Sequence, residues 1–489
     1  MIPTMGQANP IDEARQHFEK GDAALQKQDF DRAIAEFTEA IRLDPKSTYY
    51  YHSRAAAYHA KGDFDKEIAD DSHLVKENPQ DAYALGNRGL AYAMKNEFDK
   101  AFADLDQAIR IDAQNPSWFC NRGFCHGAKG DQDKAIRDYS RTLDLNPKHT
   151  EAYFQRGMSY VAKGEFDRSI SDFTEAMKLD PQHTSAYYWR AFAYHSKGEF
   201  DKAIADCDQL LELNPKFASG YIGRGRSYLE QGDYPKALAD FEQALRLAPK
   251  DPNAHYARGN YHSTKGDHEK AIRDFTTAIR LNPKDATSYF SRGNSYREKG
   301  DRDRAIADYS EAIKLNPQMM TAYSNRGNVY REKGEHDKAL LDYDQCIQLE
   351  PNSPIPYGNR ALLFAASPEA RIRNGKKAVQ DARKACELSG WKNPWCLDIL
   401  AMAYAEVGDF KEAIKWEKRA LELSKDYSEK ILRETRARLK LYEQGKPYRE
   451  DASAIRTESD RSTSPAGSVP LVLQGIPVRA SPSTRDRLR

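Results

Sequence analysis

Small and aromatic side chains recur along this chain with the period of helices that pair with one another. In residues 150–183, TEAYFQRGMSYVAKGEFDRSISDFTEAMKLDPQH, places four, eight and eleven carry Tyr153, Gly157 and Tyr160. Successive side chains on a helix turn by about 100°, so these three share one face. Ser169, Phe173 and Ala176 mark a matching face on a second helix, and the small residue at place eight predicts a close approach of the two backbones. Glycines such as Gly130, Gly164 and Gly198 follow the first helix, where a left-handed residue closes a helix; Asn96 takes that place in one unit. Asp or Glu comes next, at the N-terminus of the second helix, and proline ends the unit.

This segment repeats. Gly89, Gly123 and Gly157, then Gly225, Gly259, Gly293 and Gly327, are 34 residues apart within each set, and prolines from Pro45 to Pro351 keep the same register, broken once at Ala113. Ten units fill 14–353; residues 354–427 hold two divergent units, the first with an insertion over 367–375. Residues 428–446 read as a closing helix, 1–13 as a flexible leader, and 447–489 as a disordered tail rich in Ser, Arg and Pro. The tail's apolar island, 469–478, reads either as a docking motif or as an occupant of the chain's own groove.

These residues resemble the tetratricopeptide repeat (TPR) family, a helix pair with Gly or Ala at place eight, Tyr at eleven, Ala at twenty, an aromatic at twenty-four, Ala at twenty-seven and Pro at thirty-two. The resemblance implies an all-α, right-handed superhelical solenoid of stacked helix-turn-helix units, with a concave groove lined by the first helices and a cap at the end. Repeat two departs from the pattern, with Glu67 and Asp71 at places twenty and twenty-four, and repeat six has Cys207 for its second aromatic. Trp391, Trp395 and Trp416 are expected to thicken the core beside the cap.

Place seven is Arg in ten consecutive units, Arg54 to Arg360, where the family often has Leu, and place twenty-three is acidic in the same units. An exposed anion track is one reading. The wheel favours another, because place seven lies about 200° from place nine, a groove position. Pairs such as Arg224 with Asp240, Arg258 with Asp274 and Arg292 with Asp308 are therefore predicted to join the two helices of a unit, with the planar guanidinium bonding a carboxylate twice. Repeat one substitutes Lys20 and Glu36, and repeat twelve has Leu400 and Trp416.

The groove positions divide into two chemistries. Repeats four to six offer Phe154, Met158, Tyr188, Trp189 and Phe192 with His195 beside them; from repeat seven the same positions carry Arg226, Asn260, Asn294, Arg297, Asn325, Asn328 and Arg331. An extended peptide with an apolar stretch and acidic or hydrogen-bonding residues matches this surface, although aromatics at place five also serve as packing between first helices. The asparagines resemble in part those of the O-linked N-acetylglucosamine transferase superhelix, through Asn87, Asn121, Asn325 and Asn359 at place six, but repeats five to nine lack Asn there. The lysine of the chaperone-binding carboxylate clamp is missing throughout.

Charge and chemistry narrow the function. Of 489 residues, 75 are Lys or Arg and 74 Asp or Glu, so a net charge of +1 builds in no pull toward nucleic acid or anionic membrane. No apolar run reaches the roughly 18 residues of a membrane span, and the start shows no secretory leader, so a cytoplasmic address is expected. Six cysteines form no CxxC and read as small buried side chains. No phosphate-loop or zinc-protease motif occurs, and His52 with His59 lacks a third metal ligand, so neither catalysis, cofactor nor metal is expected. A protein-interaction scaffold binding a peptide or protein partner is the favoured class. A regulatory or substrate-presenting subunit of an enzyme complex, and an RNA-binding helical repeat, are the alternatives.

Overall fold

The computed structural model describes residues 9–424 and 427–450, and among them every regular element is an α-helix. Twenty-four helices form twelve consecutive antiparallel pairs and a twenty-fifth, Glu429–Glu443, follows them. The fold is an all-α solenoid of tandem helix-turn-helix units. It divides into two compact units at Pro215 and Lys216, the first holding repeats one to six and the second repeats seven to twelve with the final helix.

Repeat five shows how the residues make the unit. Its first helix, Thr150–Ala162, gives way to Gly164 at φ +73°, whose N–H bonds the Val161 carbonyl while the Glu165 N–H bonds that of Tyr160. Phe166–Leu179 then folds back. The absence of a side chain at Gly157 is required here: a Cβ would stand 2.7 Å from a ring carbon of Phe173, which is fully buried. Asn96 adopts the left-handed conformation too, at φ +62°.

The acidic residue that opens most second helices works in two ways; Asn374 takes the place in repeat eleven, and Asp63 in repeat two makes no side-chain cap. Asp131, Asp233, Asp267 and Asp301 accept the backbone N–H three residues on. Glu97, Glu165, Glu199 and Glu335, one methylene longer, make no such cap; like those aspartates they pair with the Lys or Arg three residues on. The dipole explains the acid in both cases, but only the shorter side chain reaches back to its own turn.

Boundaries differ from the pattern at both ends. The first helix starts at Pro10, inside the expected leader, because Asn9 caps it and proline suits the first helical position. Residues 447–450, assigned to the tail, pack on the last repeats. The remainder of the tail, including 469–478, lies outside the described residues, as do residues 1–8.

Candidate functional site

The arginine ladder lies inside the repeats. Arg224 donates from Nε and Nη2 to both oxygens of Asp240, at 2.9 and 2.8 Å; Arg258 does the same to Asp274, at 2.9 and 2.8 Å, and Arg292 to Asp308, at 2.8 and 2.7 Å. The carboxylates are buried. A further link was not foreseen. The remaining guanidinium nitrogen reaches place twenty-five of the preceding repeat: Arg156 Nη1 to Ser140, Arg190 to Thr174, Arg292 to Thr276 and Arg326 to Ser310, at 2.9 to 3.1 Å. Each of these arginines therefore joins three helices and sets the register between neighbouring repeats. The signal was legible, since place twenty-five carries Ser, Thr or an acid in each of repeats one to ten.

Electrostatics define what the ladder is worth. The Asp70, Asp104 and Asp308 hydrogen bonds hold the Arg54, Arg88 and Arg292 guanidiniums above their ordinary value. Burial pushes the Asp172, Asp206 and Asp342 carboxyls above the usual range, more than their arginines pull them down. In repeats five, six and ten burial thus offsets part of the attraction.

At repeat one the pattern is not reproduced with Lys20. Glu36 is bonded by His17 Nδ1 at 2.7 Å, because His17, at place four, is on the helix face that packs on the second helix. Repeat two holds Glu67 against His59 at 2.9 Å, while Asp71 is fully buried with neither oxygen hydrogen-bonded. Burial, with Glu67 and Asp70 adding to it, pushes the Asp71 carboxyl up to about 9. His52 bonds Asp81 at 3.0 Å, so both histidines of the weighed metal site face carboxylates, and among the described residues no cluster of three metal-ligating side chains occurs.

The groove positions of the first compact unit are partly core. Met158 is buried, and Phe154 packs on Phe173 and His183, with ring centroids 5.8 and 4.8 Å away. These two residues serve packing between helices. Trp189 is half-buried and meets Tyr188 and Phe192 edge-on, each at 5.5 Å, while His195 stands 5.3 Å from Phe200.

In the second compact unit the polar positions are largely engaged by the chain itself. The Asn294 amide oxygen accepts the Tyr309 hydroxyl at 2.8 Å and the Asn325 amide at 2.9 Å; Asn328 accepts the Tyr343 hydroxyl at 2.9 Å. The Asn294 oxygen thus has both its acceptor positions engaged within the chain, and the Asn328 oxygen has one of its two engaged. Arg297 pairs with Glu332 at 2.9 Å, and Arg331 with Glu450. Arg226 and Asn260 are half-buried on first helices Ala218–Glu230 and Pro252–Thr264. Glu332 and Glu450 escaped the sequence reading, and for Glu450 no spacing rule spans the 119 residues to Arg331.

Family profiles described as "Tetratricopeptide repeat" match residues 73–116, 154–216, 222–287, 321–353 and 395–426, and one described as "TPR repeat" matches 21–62 and 293–331. A comparison with curated protein sequences gives no match. Among solved structures the chain is similar to the APC/C hetero-tetramer Cut9–Hcn1, at 14% identity and a TM-score of 0.46 over 88% of this chain and 98% of that one. It is also similar to yeast Tom70, at 18% identity and 0.41 over 88% and 96% of the two chains, and to MamA, at 26% and 0.30 over 33% and 94%.

Proposed function

The chain belongs to the tetratricopeptide repeat family, and from that premise we propose that it is a non-enzymatic scaffold whose first compact unit grips apolar side chains of an extended peptide or partner segment. One observation carries this reading: Tyr188, Trp189 and Phe192 form a partly buried aromatic cluster on the first helix of repeat six, Thr184–Ser196. Edge-to-face contacts hold these rings in place, so a partner side chain meets a pre-ordered surface and little conformational entropy is lost on binding. Aromatic rings that are not fully covered retain some apolar area for a partner to remove from water, at about 25 cal/mol per Å².

The test is selection of binding peptides from a random library on the intact protein, followed by titration of Trp189→Ala/Phe192→Ala and of Arg226→Ala/Asn260→Ala. The reading expects apolar peptides whose affinity falls at least about tenfold with the first variant, while its melting temperature holds. Selected peptides that bind both variants as they bind the parent protein would place the site elsewhere.

A further inference from the structure

Repeat eleven ends its first helix differently from the repeats before it. Helix Pro354–Ala366 has no left-handed glycine behind it; Ser367 follows with φ −52° and ψ 136°, and the insertion leads the chain away. A glycine turn normally returns backbone N–H groups to the last carbonyls. Here the carbonyls of Ala365 and Ala366 are met by residues more than eighty positions downstream. The Glu450 N–H bonds the Ala366 oxygen at 2.8 Å, and Arg449 Nη1 reaches the Ala365 oxygen at 3.4 Å.

The same short segment is held at three further points. Tyr448 packs on the core that contains Met402 and Ala403, with the Arg438 guanidinium 5.7 Å from its ring centroid. Arg449 Nη2 stands 2.5 Å from Glu406, whose other oxygen faces Arg373 at 3.3 Å. Glu450 pairs with Arg331, the residue at place twelve of repeat ten. Main-chain bonding, an aromatic anchor and two charge pairs of opposite sense together are how a groove reads an extended peptide.

We propose that the inner ends of repeats ten to twelve form a peptide-binding site for an aromatic–basic–acidic segment, and that the chain's own Tyr448–Arg449–Glu450 fills it. The uncapped carbonyls of Ala365 and Ala366 provide the backbone acceptors, Glu406 selects the cation and Arg331 the carboxylate. The site is therefore closed to other segments while its own strap is seated. An external partner enters by presenting the same order of side chains and displacing it. This proposal concerns the second compact unit and stands on contacts separate from the aromatic cluster of repeat six, so Trp189→Ala/Phe192→Ala leaves it untouched.

The test keeps the full chain. A site-specific protease sequence is inserted between Lys446 and Pro447, the protein is cut, and the fluorescein-labelled peptide KPYREDASAI, residues 446–455, is titrated by anisotropy. Saturable binding to the cut protein is expected, and binding to the uncut protein at least about tenfold weaker, since a tethered strap competes at millimolar effective concentration. On the cut protein the Glu450→Lys peptide is expected to lose about tenfold or more, and to regain binding on the cut Arg331→Glu variant. Absence of saturable binding to the cut protein overturns the proposal. So does equal binding of the parent, Glu450→Lys and Tyr448→Ala peptides, which needs no protein variant to fold.

Discussion

Interior repeats and the last repeat solve one problem with different parts. In repeats two to eleven the first helix brings the cation and the second the carboxylate, as in Arg258 with Asp274, and both come from the same repeat. In repeat twelve place seven is Leu400 and place twenty-three Trp416, which stacks on Trp391 with ring centroids 5.1 Å apart. The acids have moved to Asp398 and the fully buried Glu417, and their cation, Arg438, arrives from the final helix at 2.8 and 3.4 Å. Burial and the nearby Asp398 hold the Glu417 carboxyl well above its ordinary value. An interior repeat stitches itself to the one before it; the last repeat is completed by what comes after it, so the cap is fastened by charge as well as by apolar contact such as that of the buried Tyr442.

The largest effect expected from breaking this comparison is at the cap. Arg438→Met strips the cation from two carboxylates and should destabilise the second compact unit by about 3–5 kcal/mol in urea denaturation. Restoring much of that loss by adding Glu417→Gln would identify the stranded acid as its cause. An interior pair is more exposed and shared with a neighbour, so Asp240→Ala should cost about 2–4 kcal/mol. A double-mutant cycle with Arg224 should show strong coupling, and additive losses would defeat the pairing.

Repeat two sharpens the comparison through pH, because Asp71 is an acid without a cation bonded to it. With its carboxyl pushed up to about 9, against an ordinary value of 3.8, the folded chain holds a proton at neutral pH that the unfolded chain has released. Stability of the first compact unit should therefore fall as pH rises from about 4 to about 9, by up to ~1.4 kcal/mol per pH unit. Asp71→Leu places at this position the residue type that repeat three has in Leu105, packed on Gly89. Thermal melts of that variant at pH 6 and pH 8 should lie closer together than those of the parent. The smallest effect concerns the link between repeats where it is exposed. Asp106, which accepts Arg122 at 2.7 Å, is 45% exposed, so Asp106→Ala should cost about 0.2–1 kcal/mol and lose even that in high salt.

Helix pairing, the closing glycines and the Arg–Asp partners were legible because each depends on residues within one turn or one repeat of each other. Periodicity reports such contacts directly. The hydrogen bonds of Asn294 and Asn328 were not legible for a related reason: the sequence placed them on the groove face, while Tyr309 and Tyr343, fifteen residues on, donate to their oxygens. A tyrosine at place twenty-four looks like core, and nothing in its spacing says where its hydroxyl ends. The burial of Met158 and the partial burial of Phe154 were not legible either, since a face of a helix does not reveal how deeply the next helix covers it.

The amino-acid sequence by itself determined the family, the all-α repeat and the internal partners of place seven, since a contact repeated every 34 residues leaves a periodic trace. Only the tertiary structure decided how the ends are completed. Arg438 and Glu417 meet across 21 residues without any repeat to announce them, and Glu450 returns to Arg331 across 119. Contacts made once, by a chain that turns back on itself, depend on shape and burial, and these exist only after the repeats have stacked.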